Sequence, residues 1–233
     1  MKKALVTGAT SGIGLAIVEK LLELGYFVYG VGRDFTKVNL DESVGKNFVP
    51  IECDLTKYQN IEKMVRELQD KNEIELLVNS AGVGYFGPHE EINPTKLHKM
   101  IAVNLEAPLV LTQLLLRGLK KNRGTIINIA SITAKKSSVF GCAYSATKAG
   151  IGHFSESLFD EVRKTGVKVV CIYPDITKTP FYDELNFREG EDSLSYILPQ
   201  CVAGGVEIII SQREGTVITQ LVLQPQKHQI QRK

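Results

Sequence analysis

The stretch TGATSGIG, residues 7–14, follows directly on the apolar run Ala4–Thr7 and opens an amphipathic segment, Ile13–Leu24. Glycine adopts the backbone angles of a tight turn at little steric cost and lets backbone N–H groups approach a ligand closely. The N-terminus of a helix adds unpaired N–H donors and a favourable dipole for an anion. The stretch therefore predicts a strand, a turn and a helix that together bind a pyrophosphate.

The spacing of the three glycines, at positions 8, 12 and 14, departs from the G-x-G-x-x-G pattern of many dinucleotide-binding folds. A bare turn into a helix is therefore the alternative interpretation. The position of the turn directly after the first predicted strand favours the phosphate-binding interpretation.

Seven short runs rich in Val, Ile and Leu alternate with longer segments whose apolar residues recur at helical spacing. Strands covered on both faces appear as continuous apolar runs. The alternation predicts one domain, residues 1–233, with an α/β, doubly wound, Rossmann-like parallel sheet of seven strands and helices on both faces. The predicted strands are Ala4–Thr7, Phe27–Val31, Phe48–Ile51, Leu76–Asn79, Thr125–Ile129, Lys168–Tyr173 and Val217–Leu223; the predicted helices include Ile13–Leu24, Asn60–Gln69, Thr95–Leu119 and Ala143–Lys164.

The composition excludes several classes of protein. Lys and Arg number 28 against 26 Asp and Glu, and the signs are mixed along the chain, so no nucleic-acid partner is expected. The four cysteines and four histidines lack metal-ligand spacing, so no metal site is expected. The apolar stretch Leu105–Leu119 contains Glu106 and Arg117 and is too short to span a bilayer. A cytoplasmic protein without a membrane partner is expected.

Two segments do not fit the alternating pattern. Residues 180–193 are acidic and turn-rich without a clear period. Because loops of this length in compact domains are usually functional or mobile, a substrate loop is predicted there, a merely solvated loop being the alternative. The polar, basic tail Gln224–Lys233 is expected to be frayed and exposed to solvent.

The end of the second predicted strand reads Val31-Gly32-Arg33-Asp34. In dinucleotide folds an acidic residue here holds the ribose 2′-hydroxyl, whereas an arginine pairs with a 2′-phosphate. Gly32 occupies the acidic position and Arg33 supplies a cation, so NADP(H) is favoured over NAD(H). Asp34 would take the ribose role if the register were shifted by one residue.

Tyr144 and Lys148 lie four residues apart in a helical segment, so their side chains share one face. A tyrosine with its ordinary pKa of about 10 is a poor acid–base group at neutral pH unless a nearby cation favours its phenolate. We expect Lys148 to lower the pKa of Tyr144 in this way. Ser131 follows a predicted strand, at the edge of the sheet where ligands bind, and is placed to polarise a substrate oxygen. Either feature alone has a purely structural alternative.

Together these features resemble the classical branch of the short-chain dehydrogenase/reductase family. The resemblance extends from Thr7 to Thr179 in the order typical of the family. Its motifs are Thr7-Gly8-x-x-x-Gly12-Ile13-Gly14, Asp54-Leu55, Asn79-Ser80-Ala81-Gly82, Val103-Asn104, Ser131, Tyr144-x-x-x-Lys148 and Pro174 followed by Thr179.

The resemblance implies a centre in which Tyr144 protonates a carbonyl oxygen, Ser131 hydrogen-bonds that oxygen, and Lys148 also holds the nicotinamide ribose. Asn104 would hold a water that relays protons to Lys148. Asp54 would lie near the adenine and Thr179 near the nicotinamide carboxamide. With the glycine-rich turn and Arg33, the residues expected to bind the cofactor are Gly8, Thr10, Ser11, Gly12, Ile13, Gly14, Arg33, Asp54, Leu55, Asn79, Ala81, Gly82, Tyr144, Lys148, Pro174, Thr177 and Thr179.

Two positions depart from the family's pattern. Ser80 replaces the second asparagine of the usual Asn-Asn-Ala-Gly, and Asp175 replaces the glycine that usually follows Pro174. Asp175 adds a side chain where the backbone passes the nicotinamide. Either it weakens cofactor binding, or its carboxylate faces the substrate and shapes the choice of substrate.

The expected function is an NADP(H)-dependent carbonyl reductase or alcohol dehydrogenase that transfers a hydride between the nicotinamide and a carbonyl or secondary alcohol. A catalytically silent nucleotide sensor is one alternative, against which the complete catalytic set argues. A nucleotide-sugar epimerase or dehydratase is another, but 233 residues leave little room for its larger substrate domain. The resemblance implies a homodimer or homotetramer joined through the helices Thr95–Leu119 and Ala143–Lys164, with core packing as the alternative for their apolar surface.

Overall fold

The computed structural model describes residues 1–38 and 45–233. Seven parallel strands form one sheet in the order β3-β2-β1-β4-β5-β6-β8. This order confirms the predicted doubly wound fold. The strands are β1 (Lys3–Thr7), β2 (Phe27–Gly32), β3 (Phe48–Glu52), β4 (Ile74–Asn79), β5 (Thr125–Ile129), β6 (Lys168–Pro174) and β8 (Gln220–Leu223); β7 is described below.

Helices cover both faces of the sheet. Ile17 of α1 and Val202 of α6 pack on one face, whereas Leu111 of α4 and Leu158 of α5 pack on the other. Helix α6 was not predicted from the sequence, because its two glycines lower its intrinsic helical preference. The helices are α1 (Gly12–Glu23), α2 (Tyr58–Glu67), α3 (Pro94–Ile101), α4 (Ala107–Asn122), α5 (Cys142–Val162) and α6 (Pro199–Ile210).

The order of strands reverses beside β1, which pairs with β2 on one side and β4 on the other. The crevice at such a reversal is where open α/β sheets bind ligands. Here the Thr7 hydroxyl joins the two strand ends, because it accepts hydrogen bonds from the Ser80 and Ala81 amides, both at 3.0 Å. The glycine-rich turn and the Asn79–Gly82 segment therefore share one wall of the crevice.

Helices α3 and α4 join through a π-helical turn, Ala102–Glu106, in which the Ala107 amide donates to the Ala102 carbonyl. Pro108 explains the wide turn, since it has no N–H for the Asn104 carbonyl four residues earlier. Such π turns occur frequently at functional sites. This one places the Asn104 side chain in the interior.

The continuous helix Pro94–Asn122 is longer than the apolar stretch considered in the sequence, and its 29 residues are long and apolar enough to cross a membrane. The stretch Leu105–Leu119 that was considered in the sequence is thus only part of a longer helix. Half of its most apolar window is buried inside the domain, as in the core helix of a soluble fold.

The tail is not frayed, contrary to the expectation from its polarity. Strand β9 (Ile230–Arg232) pairs antiparallel with β7 (Phe187–Glu189), inside the segment predicted as a loop. The ladder satisfies backbone groups that a solvated tail would leave to water. Three-residue strands are too short to produce a detectable period, so the sequence pattern gave no sign of the pairing.

Candidate active site

The glycine-rich turn brings the backbone of β1 and α1 into direct contact. Gly8 and Gly12 have φ angles of +70° and +54°, which favour glycine. A Cβ atom at Gly8 would lie 2.9 Å from the Ala81 backbone, and one at Gly14 would overlap the Gly8 carbonyl oxygen. A Cβ at Gly12 would lie 3.1 Å from the Thr179 methyl group. Side chains are thus excluded from a surface made of backbone.

The start of α1 suits an anion. Ser11 is its N-cap residue, yet no side chain caps the helix and no acidic residue lies in its first turn. The amides at a helix start then remain available to phosphate oxygens. Among the described residues, the buried Asn79 Oδ1 and Ser80 Oγ atoms beside this turn also have no hydrogen-bond partner. These features fit a dinucleotide.

Two exposed charges of opposite sign, Arg33 and Asp34, follow the end of β2. A Cβ atom at the buried Gly32 would overlap the Thr10 methyl group, while Arg33 is exposed. Asp34 Oδ1 accepts a hydrogen bond of 2.8 Å from the Thr36 amide, which lowers the pKa of Asp34. Its carboxylate is therefore engaged within its own turn, whereas the Arg33 guanidinium faces solvent at this edge.

Asp54 closes the same end of the crevice. The Thr56 amide donates to Asp54 Oδ1 at 3.0 Å and is the main cause that lowers the pKa of this carboxyl, to which Arg33 adds a smaller electrostatic effect. Leu55 is buried in the core beside it. Asp54 and Arg33 are thus neighbours.

Tyr144 and Ser131 meet beyond the carboxyl end of β5. Both are nearly buried, with 9% of each exposed, and the Ser131 hydroxyl lies close enough to the Tyr144 phenol to lower its pKa. Ser131 accepts from the Thr133 amide at 3.2 Å, which fixes its position at the start of a short 3-10 turn. The two hydroxyls are therefore neighbours in one buried site.

Lys148 lies one turn further along α5 and reaches the same site. Its Nζ lies 5.7 Å from the centre of the Tyr144 ring and donates to the Ile129 carbonyl at 2.9 Å. Burial lowers the pKa of Lys148 to about 8. The structure thus brings together the three side chains predicted to form the centre.

The expected effect of Lys148 on Tyr144 is wrong for this arrangement. Burial raises the pKa of Tyr144 to about 12, and the nearby Ser131 hydroxyl has a smaller effect in the opposite direction. The reason is that Lys148 gives its hydrogen bond to a backbone carbonyl and not to the phenol. Tyr144 is therefore held as the protonated phenol.

The Asn104 side chain forms hydrogen bonds with backbone groups and with a residue of α5. Its Oδ1 accepts from the Val83 amide at 2.8 Å, and its Nδ2 donates to the Val83 carbonyl at 2.8 Å and to the Thr147 hydroxyl at 3.1 Å. A Cβ atom at Gly82 would lie 3.4 Å from Lys148 Nζ and 3.6 Å from Asn104 Oδ1. Gly82 therefore lies between these two polar groups.

Asp175 is buried and held on three sides. Its Oδ1 accepts from the Ile176 amide at 2.8 Å, and its Oδ2 accepts from Lys136 Nζ at 3.4 Å and Gln224 Nε2 at 3.1 Å. Lys136 belongs to the segment that follows Ser131. The carboxylate thus turns toward this segment, where Lys136 balances its charge. Weakened cofactor binding and a role in the choice of substrate both stay predictions.

Four aromatic side chains, which we call the aromatic wall, form a connected cluster that packs on Tyr144 through two of its rings. The Phe86 and Phe181 rings lie 5.2 and 5.9 Å from the Tyr144 ring, and Phe187 lies 5.0 Å from Phe86. Tyr182 closes the circuit at 5.7 Å from Phe187. The space over the phenol is thus bounded by apolar ring faces and edges.

The roles of some residues of the site were not predicted from the sequence. Thr147 supports Asn104, Thr7 supports the Ser80 and Ala81 amides, and the aromatic wall comes from separate loops. Only Thr7 carried a usable signal, a hydroxyl at the end of a strand. Of the other residues expected to bind the cofactor, Pro174 ends β6, Thr177 is buried with its hydroxyl bonded to the Asp175 carbonyl, and Ile13 packs on the core.

A crevice walled by backbone lies beside a buried Ser–Tyr–Lys group, and this arrangement is typical of enzymes that use a nucleotide cofactor. Comparison with known proteins agrees with this class. The family model described as short chain dehydrogenase matches residues 2–190. This chain therefore belongs to the short-chain dehydrogenase family, and it is an oxidoreductase of that family.

Individual relatives extend over nearly the whole chain. An uncharacterized oxidoreductase of Staphylococcus epidermidis is 32% identical over 227 residues, covering 96% of this chain and 97% of the relative. A probable NADP-dependent dehydrogenase of Haemophilus influenzae is 28% identical, covering 95% and 92%. The solved closed form of serine dehydrogenase complexed with NADP+ is 26% identical with a TM-score of 0.84, covering 96% and 94%.

Proposed function

We propose that this chain is an NADP(H)-dependent reductase or alcohol dehydrogenase acting on a carbonyl or secondary alcohol group. The observation that carries the proposal is the buried pair of Tyr144 and Ser131 hydroxyls, with Lys148 one helical turn away, at the edge of the nucleotide crevice. Gly82 connects the two parts, since it lies between Lys148 and Asn104 while its neighbour Ala81 contacts Gly8.

A bound nicotinamide dinucleotide would supply the hydride for reduction and accept it in oxidation. Tyr144 holds a proton on its phenol oxygen and transfers it to the carbonyl oxygen, which becomes the alcohol hydroxyl. Ser131 orients that oxygen by a hydrogen bond. Lys148 would hold the nicotinamide ribose through its ammonium, the role that the family resemblance implies. The raised pKa of Tyr144 keeps the phenol protonated at neutral pH, which is the form that donates.

The residues of the turn, Asp54 and Thr179 would hold the cofactor, with Arg33 toward its 2′-phosphate. Arg33 is exposed while the Asp34 carboxylate is occupied by the Thr36 amide, which favours NADP(H). The NADP+-bound serine dehydrogenase and the NADP-dependent relative support the same choice by analogy.

Replacing Arg33 by alanine is expected to weaken NADPH binding about tenfold to 100-fold, because a charge-assisted hydrogen bond contributes about 1.5–3 kcal/mol. NADH binding should change by less than about twofold, since NADH carries no 2′-phosphate. The enhancement of cofactor fluorescence on binding measures both constants. Lys37→Ala is the matched control, a nearby exposed cation whose loss should matter less. Equal binding of the two cofactors by the unmodified protein would contradict the assignment.

The pH dependence follows from Lys148. Its pKa of about 8 means that the ammonium is present below this pH and is lost above it. We expect kcat/KM for carbonyl reduction to be constant at neutral pH and to fall above about pH 8, approaching about tenfold per pH unit. Initial rates with saturating NADPH measure the profile. If kcat/KM instead stays constant up to roughly pH 10, the Lys148 ammonium has no role in the mechanism.

Several features stay predictions. A single domain over residues 1–233 is predicted from the alternating pattern, and a cytoplasmic location from the composition. The resemblance implies a homodimer or homotetramer joined through the segments Thr95–Leu119 and Ala143–Lys164. Half-buried Leu105 and Leu109 beside Phe154 are consistent with such an interface. Residues 180–193 are proposed as the substrate loop, because Phe181, Tyr182 and Phe187 of the aromatic wall belong to it.

A further inference from the structure

The segment 227–233, which we call the strap, crosses the proposed substrate loop along most of its length. Strand β9 pairs with β7, with Arg232 opposite Phe187 and Gln231 opposite Arg188. The Lys233 amide donates to the Asn186 carbonyl at 2.9 Å. Because hydrogen-bonded pairs alternate along an antiparallel ladder, the Gln231 amide faces Arg188 in the same way.

Two lysines fasten the ends of the strap. Lys233 Nζ donates to the Tyr182 and Asp183 carbonyls at 2.6 and 2.7 Å. Lys227 Nζ pairs with Asp192 at 2.6 Å, and the Lys227 amide donates to the Leu194 carbonyl at 2.9 Å. The loop between residues 182 and 194 is thus bound at both ends and in the middle.

The strap acts on the aromatic wall through this loop. Phe187 lies in β7 and packs on Phe86 and Tyr182, and Phe181 packs on Tyr144. On the opposite side the wall rests on backbone, since a Cβ atom at Gly84 would lie 2.5 Å from the Phe181 ring. A loosened β7 would therefore carry Phe187 away from the space over the phenol.

The cations near the wall are engaged by other groups. Of the two lysines that close the segment after Ser131, Lys135 lies over the Tyr173 ring, 4.2 Å from its centre, and Lys136 is paired with the buried Asp175 carboxylate. The Lys148 ammonium beside Tyr144 donates to the Ile129 carbonyl. A substituent on the carbonyl carbon therefore meets the apolar ring surface of the aromatic wall.

We propose that the strap is a positioning element of the substrate site: by pairing with Phe187–Glu189 it holds the aromatic wall closed over Tyr144, and so selects carbonyl compounds with an uncharged, flat apolar substituent. This inference rests on the proposed reductase function and adds the class of substrate. The strap itself touches neither the phenol nor the reacting atoms.

The test of the strap uses the full chain with Gln231→Pro, since proline has no N–H for the ladder. Gln231→Ala is the matched control, because it keeps the amide and loses the side chain. Trypsin cleavage after Arg188, an exposed residue within β7, reports opening of the ladder by mass spectrometry. We expect Gln231→Pro to accelerate this cleavage at least about fivefold and Gln231→Ala to leave it unchanged.

The test of selection compares acetophenone with pyruvate, a flat apolar ketone with a charged one. The unmodified protein should prefer acetophenone in kcat/KM by about tenfold or more, the effect of burying a few apolar groups. In Gln231→Pro the KM for acetophenone should rise about tenfold while kcat changes by less than about threefold and NADPH affinity by less than about twofold. The preference over pyruvate should then largely disappear.

Each other outcome has a defined meaning. Unchanged cleavage after Arg188 in Gln231→Pro would overturn the strap whatever the activity. Faster cleavage with an unchanged KM would overturn its link to the substrate while leaving the reductase function intact. A preference for pyruvate in the unmodified protein would overturn the apolar class. Reduction of neither ketone, with NADPH still bound, would count against the apolar class and the proposed function together.

Discussion

Replacing Tyr144 by phenylalanine is expected to lower kcat for carbonyl reduction by about 10²- to 10⁴-fold, the usual contribution of a positioned proton donor. The phenyl ring keeps the packing against Phe86 and Phe181, so the fold and the crevice should be preserved. NADPH affinity should therefore change by less than about twofold. Steady-state rates with a carbonyl panel and a cofactor titration measure the two effects.

The control for this variant is Tyr58→Phe, which removes a hydroxyl from an exposed tyrosine at the start of α2, outside the catalytic group. It should reduce carbonyls at the unmodified rate. Turnover by Tyr144→Phe at the same rate as this control would refute the role assigned to the phenol. The proton would then have to come from a different donor.

Gly14→Ala is expected to produce the second large effect. Its Cβ atom would overlap the Gly8 carbonyl oxygen, and backbone cannot move aside as the end of a flexible side chain can. An overpacked site of this kind costs about 1–3 kcal/mol, which in a chain of this size lowers Tm by about 3–10 °C. Because the displaced turn also forms the phosphate site, NADPH binding should weaken by at least about tenfold.

Gly204→Ala is the matched control. Gly204 lies in α6, and a Cβ atom there would meet no heavy atom within 4 Å. Alanine in a helix interior is favoured over glycine by about 0.5–1 kcal/mol, so Tm should rise slightly and cofactor binding should be unchanged. If Gly14→Ala instead matched Gly204→Ala in both measurements, the turn would not be the phosphate site.

The fold was predictable because its signals are local. Continuous apolar runs mark the buried strands, and the glycines of the first turn mark a backbone contact that the structure contains. Tyr144 and Lys148 were recognisable because four residues along a helix bring two side chains to one face. That Ser131 lies beside this pair depends on the order of the strands in the sheet. The family resemblance implied that order.

The parts that were missed depend on contacts between distant segments. The pKa of Tyr144 is set by burial, which no spacing of residues reports, and Lys148 finds a carbonyl of β5 as its partner. Phe86 and Phe187 meet across about a hundred positions of the chain. The pairing of β9 with β7 likewise joins two short polar segments whose composition predicts neither strand.

The buried ammonium of Lys148 also has a consequence for the stability of the whole chain. Its pKa of about 8 in the fold lies below the usual 10.5, so the unfolded chain holds this proton more tightly. Below about pH 8 both states carry the proton, and folding bears the full desolvation penalty, about 3 kcal/mol. Between this pH and 10.5 the penalty is progressively relieved as the pH rises. At neutral pH the burial of this one cation therefore lowers the free energy of unfolding of the whole chain.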